Sequence, residues 1–294
     1  MKTPLFVGCG TAISTPFTKD GVNFEAFRKL IDFQISEGID ALIVCGTTGE
    51  AATMTDSERK ETIKFAIDTV ASRVPVIIGT GSNNTLAAIK MSKYAESAGA
   101  DGLLVVTPYY NKATQSGLVE HFKAIAESVS IPIIVYSVPS RTGVNITPET
   151  CLELSKISNI VAIKEASGNL SQIANIAHLC NDNLHIYSGN DDQVLPILSL
   201  GGLGVISVLS NIAPRKTSKM VHDFLDGNIE EARKLQLDSI PLINALFSEV
   251  NPIPVKEALN IMGYDYGTPR LPLTTLTQKN REILVQEMKK FDII

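Results

Sequence analysis

The chain has 294 residues, 44% hydrophobic and 19% charged, with a net charge of -5 and a pI near 5.5. That composition buries a large core and excludes a disordered chain, while the acidic balance without any Lys/Arg-rich run excludes a nucleic-acid partner. The segment from Met1 to Phe17 carries one Lys and is broken by Pro4, Gly8 and Gly10, so it makes a poor signal peptide; no apolar run reaches the roughly 18 residues that a membrane span requires.

Eight short apolar, β-branched runs follow in order: Val7 to Ile13, Ala41 to Cys45, Val74 to Gly79, Gly102 to Val106, Ile131 to Tyr136, Ile160 to Lys164, Leu184 to Ser188 and Gly204 to Val208. Each is apolar on both faces, as a parallel strand buried on both sides must be. Amphipathic stretches with proper helix starts separate them, such as Thr55-Asp56-Ser57-Glu58 before a helix through Ala71 and Thr147-Pro148-Glu149 before a helix through Ile157. Eight strands alternating with helices predict a (β/α)8 barrel, a TIM-type fold, rather than an open sheet. Residues 1–225 are assigned to this barrel and 226–294 to a helical C-terminal extension packed on it, with helices over Ile229 to Asp238 and Gln278 to Phe291. No low-complexity linker divides the two, and one compact unit is expected.

In such barrels the chemistry sits at the C-terminal ends of the strands. Lys164 closes the sixth run, and Ile160, Ala162 and Lys164 are expected to share an inward face. Desolvation there lowers an amine pKa, which suits a nucleophile for a carbonyl. Position alone leaves equal room for a lysine that reaches solvent or pairs with a carboxylate. Tyr136 closes the neighbouring run with Ile134 on the same face, about 4.8 Å away by strand spacing, where a phenol can move protons or simply pack. Gly46-Thr47-Thr48-Gly49 offers N–H groups and hydroxyls to a small carboxylate, although such turns are often only turns. Arg141 lies five residues past Tyr136 in a Pro/Ser/Gly loop, where a guanidinium can clamp a second carboxylate or rest on the surface.

Other signals fail. Gly8-Cys9-Gly10 and Gly79-Thr80-Gly81 lack the third glycine of a dinucleotide fingerprint. His121, His178, His185 and His222 have no paired ligand spacing, and Cys9, Cys45, Cys151 and Cys180 read as buried thiols of a reducing compartment. Neither metal nor disulfide is expected, and the location is expected to be cytoplasmic.

The segments Gly46-Thr47-Thr48-Gly49-Glu50, Pro108-Tyr109-Tyr110-Asn111, Tyr136 to Gly143, Ile163-Lys164-Glu165-Ala166, Gly204-Val205-Ile206-Ser207 and Asn251 to Lys256 together closely resemble the bacterial dihydrodipicolinate synthase family of pyruvate-dependent class I aldolases. The likeness runs in order from about Gly10 to the C-terminus. It implies condensation of pyruvate with L-aspartate 4-semialdehyde to 4-hydroxy-tetrahydrodipicolinate, in the diaminopimelate and lysine pathway, with no cofactor beyond a pyruvate imine on Lys164. By the same resemblance Tyr136, Thr47 and Tyr110 form a proton relay, Tyr110 reaching the neighbouring subunit's site. Thr48 contacts the pyruvate carboxylate, Arg141 the semialdehyde carboxylate, and Gly189 and Ile206 line the site with backbone carbonyls. A homodimer or a homotetramer built from two dimers follows. Ser137 departs from the Asn of many relatives, and strand alternation should turn its side chain away from Tyr136.

Two other readings compete. A related aldolase such as N-acetylneuraminate lyase shares the Thr-Thr turn, Tyr and Lys, and Arg141 is the residue that discriminates. A catalytically silent barrel that senses a keto acid is the alternative from another class. In lysine-inhibited relatives a carboxylate and two histidines hold the inhibitor; the resemblance places Ala87 at the carboxylate position and Asp56 and Arg59 at the histidines, with Asn83 and Tyr109 retained. Insensitivity to L-lysine is therefore expected.

Overall fold

The computed structural model describes residues 2–294. Eight parallel strands close into a barrel: β1 (Gly8–Ala12), β2 (Ala41–Val44), β3 (Val76–Gly79), β4 (Gly102–Val106), β5 (Ile133–Ser137), β6 (Ile160–Glu165), β7 (His185–Ser188) and β8 (Gly204–Ser207), with β1 pairing to both β8 and β2. Their limits differ from the apolar runs by at most two residues. A short antiparallel hairpin, Phe17–Thr18 with Gly21–Val22, lies outside the barrel and carried no signal strong enough to be expected.

The doubly apolar strands sort their side chains into two layers. Leu42, Val44, Ile78, Leu103, Val105, Val135 and Ile163 pack outward against the helices. Ala41, Ile43, Ile77, Leu104, Ile134, Tyr136, Ala162, Tyr187 and Ile206 fill the interior. Phe6, just before β1, stacks on Tyr187 with ring centroids 4.4 Å apart, and the Tyr187 hydroxyl donates to the Phe6 carbonyl at 2.5 Å. The barrel is thus packed solid below its C-terminal mouth.

One expectation about facing needs correction. Ile133 pairs with Ile160, but Ile134 pairs with Ala162, so the register slips by one at Val161. A β-bulge puts two consecutive residues against one and resets the alternation. Ile160 accordingly belongs to the outer layer, while Val161 and Ala162 both lie in the interior. Lys164 keeps the alternation of Ala162, past the bulge, and its inward direction is unchanged.

The helix starts follow their caps. Thr55 and Glu58 form a reciprocal capping box ahead of the helix Asp56–Val70, and Thr147 caps Pro148–Ser155 with Pro148 in its first turn. In the C-terminal region lie Pro214–Leu225, Ile229–Leu246, Ile253–Ile261 and Gln278–Lys290. The second runs past the expected end at Asp238 and straight through Pro241. An interior proline costs about 3 kcal/mol, whereas Leu242, Ile243 and Leu246 beyond it are buried at roughly 1.5–3 kcal/mol each, so burial wins. Leu242, Val255, Leu259, Leu284 and Met288 join the outer core cluster of the barrel.

Candidate active site

The site grows from the strand ends. Val106, Tyr136, Lys164 and Tyr187 are successive register partners across β4, β5, β6 and β7, so Tyr136 and Lys164 stand side by side. The Lys164 Nζ lies 4.5 Å from the centroid of the Tyr136 ring, and the lysine is 5% exposed. Burial lowers the Lys164 pKa from 10.5 to about 8; the Asp191 carboxylate opposes this and the Arg141 charge adds to it. The phenol of Tyr136 is pushed up to about 12 by burial, against the opposing influence of Arg141 and of a hydrogen bond with Thr47. Lys164 is thereby set to lose its proton near pH 8, well below an ordinary lysine, and Tyr136 to keep its own.

After β2 the chain turns through Cys45 (φ 57°) and Glu50 (φ 54°), both left-handed and not glycine. The conformation is held from several sides. Thr15 Oγ1 donates to the Gly49 carbonyl at 2.9 Å, and Asn251 Nδ2 to Thr48 Oγ1 at 2.9 Å. Lys256 Nζ donates to Glu50 Oε1 at 2.7 Å. Strain of this kind persists only where the surroundings over-determine it.

Arg141 sits not in an irregular loop but on a single helical turn, Pro139–Thr142, closed by Gly143 at φ 72°. Thr107 Oγ1 donates to Thr142 Oγ1 at 3.1 Å, and Thr142 Oγ1 donates to the Val144 carbonyl at 3.0 Å, fixing the turn to β4. Ser137 points away from the cavity as alternation requires, its Oγ accepting from the Ile146 N–H at 3.4 Å.

A cavity of about 190 Å³ gathers Thr47, Thr48, Tyr136, Arg141, Lys164 and Gly189, together with Asn190, Phe247 and Asn251. A second cavity of about 350 Å³ shares Gly46, Thr47, Leu104, Tyr136, Val138 and Arg141 with it and extends to Arg59, Ser82 and Tyr109. Gly189 has to be glycine, since a Cβ there would lie 2.7 Å from Ala166 Cβ and 3.1 Å from Lys164 Cε. Two of the expected residues are not among the lining. Ile206 lies in the barrel interior, and Tyr110 is 88% exposed with φ 75°, pointing into open solvent from this chain.

Two residues matter here that the sequence left without a role. Asp191 is buried; its Oδ2 accepts from the N–H groups of Val208 at 3.0 Å and Leu209 at 2.9 Å, and its carboxyl is the counter-charge nearest in influence to Lys164. Its only signal was an acidic residue two places past Gly189. Asn251 belongs to a quoted motif, but nothing local says that it reaches back about 200 residues to Thr48.

A desolvated amine, a neutral phenol and two threonines around a small cavity with a guanidinium at its rim suit the covalent capture of a small keto acid. A sequence model of the dihydrodipicolinate synthetase family matches residues 5–291. The chain is 58% identical over 294 residues to the 4-hydroxy-tetrahydrodipicolinate synthase of Acetivibrio thermocellus, covering 100% of both chains. It is 60% identical over 291 residues to that of Caldicellulosiruptor saccharolyticus, covering 99% and 98%. The crystal structure of dihydrodipicolinate synthase from Thermotoga maritima superposes with a TM-score of 0.97 at 42% identity, over 99% of this chain and 100% of the other. With its barrel, its strand-end lysine and the full-length match, this chain belongs to the dihydrodipicolinate synthetase family.

Proposed function

We propose that the protein is a 4-hydroxy-tetrahydrodipicolinate synthase, condensing pyruvate with L-aspartate 4-semialdehyde in diaminopimelate and lysine biosynthesis. The observation that carries this is Lys164, a buried amine with its pKa lowered to about 8 beside Tyr136. The neutral Nζ attacks C2 of pyruvate and water leaves, giving an imine. Loss of a C3 proton gives the enamine, whose C3 attacks the aldehyde carbon of the second substrate. The semialdehyde's own amino group then displaces Lys164 from C2, closing the ring and regenerating the amine. No cofactor beyond this covalent imine is invoked.

Tyr136 and Thr47 pass the protons, and Tyr110 completes the relay from the neighbouring subunit, which explains a tyrosine 88% exposed in one chain. A homodimer, alone or paired into a tetramer, is the working form. Thr48 receives the pyruvate carboxylate, and Gly189 lines the cavity beside Lys164. Cys9, Cys45, Cys151 and Cys180 are all buried and unpaired, which supports a reducing cytoplasm. The decisive experiment is a coupled assay with pyruvate and aspartate semialdehyde; absence of turnover by the pure protein would overturn the assignment.

Arg141 separates this reaction from that of a sugar-acid aldolase, because the semialdehyde carries a second carboxylate. Arg141→Leu should still form the pyruvate imine but lose about ten- to a hundredfold or more in kcat/KM for the semialdehyde, the worth of a charge-assisted hydrogen bond. An unchanged kcat/KM would favour the polyol-binding relatives.

Feedback by L-lysine should be absent. Ala87 offers no carboxylate, Asp56 is exposed and 3.8 Å from Lys90, and the Arg59 guanidinium that lines the larger cavity repels an ammonium group. Initial rates measured against rising lysine check this; half-inhibition below about 1 mM, a binding energy of about 4 kcal/mol, would contradict it.

A further inference from the structure

Thr48 is 2% exposed and lines the smaller cavity, and its hydroxyl accepts a 2.9 Å hydrogen bond from Asn251 Nδ2. A hydroxyl has one hydrogen and two lone pairs. Once a lone pair is taken by the amide, the hydrogen is directed elsewhere, and the cavity is the space that Thr48 faces. Asn251 itself lines that cavity, is 5% exposed, and its Oδ1 is buried without a partner. An unsatisfied buried carbonyl oxygen is destabilising. Folding alone therefore gives little reason for an amide here.

The backbone that carries Asn251 is tied to the same turn. It enters the helix Ile253–Ile261, in which Lys256, fully buried, donates to Glu50 Oε1 at 2.7 Å. Glu50 Oε2 in turn accepts from the Arg270 N–H at 2.9 Å. Glu50 ends the turn that contains Thr47 and Thr48, so the extension and the turn are held in one frame.

We infer that Asn251 is a positioning residue of the reaction: its amide, donating to Thr48 Oγ1, presets the Thr48 hydroxyl as a donor to the carboxylate of the keto acid. The inference rests on the proposed pyruvate chemistry. It assigns to the C-terminal extension a part in substrate binding and not only in packing.

The test is a double-mutant cycle over Asn251→Ala and Thr48→Val, read as KM and kcat for pyruvate with borohydride trapping of the imine at saturating pyruvate. Asn251→Ala should raise the pyruvate KM about ten- to a hundredfold while kcat changes far less, because a prepaid donor to a charged group is lost. In the Thr48→Val background the same substitution should add less than about twofold, because residues acting through one contact are not additive. Full additivity would show that Asn251 acts without Thr48, and an unchanged KM would show that it does not act at all; either result overturns the inference. If Asn251→Ala melts early, Asn251→Ser, too short to reach Thr48, replaces it in the cycle. A wild-type protein that forms no pyruvate adduct is a separate outcome, and it strikes the proposed function before the cycle begins.

Discussion

Lys164→Ala should eliminate the borohydride-trapped pyruvate adduct and lower kcat/KM by about ten-thousandfold or more, the scale on which removal of a covalent nucleophile is felt. Among the described residues the other buried lysine, Lys256, is held by Glu50. The pH dependence follows from the same burial. With the pKa lowered to about 8, imine formation by the wild type should climb with pH and level off above about 8. A lysine with its ordinary pKa of 10.5 would keep climbing beyond pH 9. Stability should rise with pH as well, over a higher range than activity. Below about pH 8 the amine is protonated in both the folded and the unfolded chain, and the folded state bears the full cost of burying the charge, on the order of 3 kcal/mol. Between about 8 and 10.5 the unfolded chain holds the proton that the folded one has released, so the wild type gains stability as pH rises and the cost fades. Lys164→Met is therefore expected to melt higher than the wild type at pH 7, by an amount that shrinks toward pH 10. Intact-mass spectrometry after borohydride and thermal melts across pH check both halves. A Lys164→Ala protein that still carries the adduct would remove the nucleophile assigned here.

The barrel was legible because its physics is local. Strands buried on both faces must be apolar throughout, and the helix caps at Thr55 and Thr147 are written in adjacent residues. Lys164 and Tyr136 stood out for the same reason, as polar residues closing apolar runs. What escaped depends on distance along the chain or on a balance of energies. The bulge at Val161 changes no residue type, because Ile160, Val161 and Ala162 are equally apolar and suit either face. The helix through Pro241 continues because of what Leu242, Ile243 and Leu246 bury, which no local rule contains. The contacts of Asn251 with Thr48 and of Lys256 with Glu50 span 203 and 206 residues, beyond any periodicity. Tyr110 is legible only through family resemblance, since within one chain an exposed tyrosine at positive φ has nothing to act on.

The second large effect is expected at the Glu50–Lys256 pair, where both side chains are essentially inaccessible at 1% and 0% and lie 2.7 Å apart. Burial lowers the Lys256 pKa, and the Glu50 charge opposes that shift. The Lys256 ammonium also lies 4.3 Å from the centroid of the Phe17 ring, with the Arg270 guanidinium 4.1 Å from the same centroid. Two charges taken out of water roughly balance their desolvation against their attraction, so the intact pair adds little net stability. Removing one partner is different, because the other is left buried and uncompensated, at about 3–5 kcal/mol. Lys256→Met should therefore lower the melting temperature by roughly 5–15 °C at neutral pH. Glu50→Gln should do much the same, leaving the ammonium without its carboxylate. The double variant Glu50→Gln with Lys256→Met keeps the volume, leaves no unpaired charge, and should recover most of the loss. Thermal melts of the two single variants and the double one check this, and additive losses in the double variant would show that the two groups do not act as a pair.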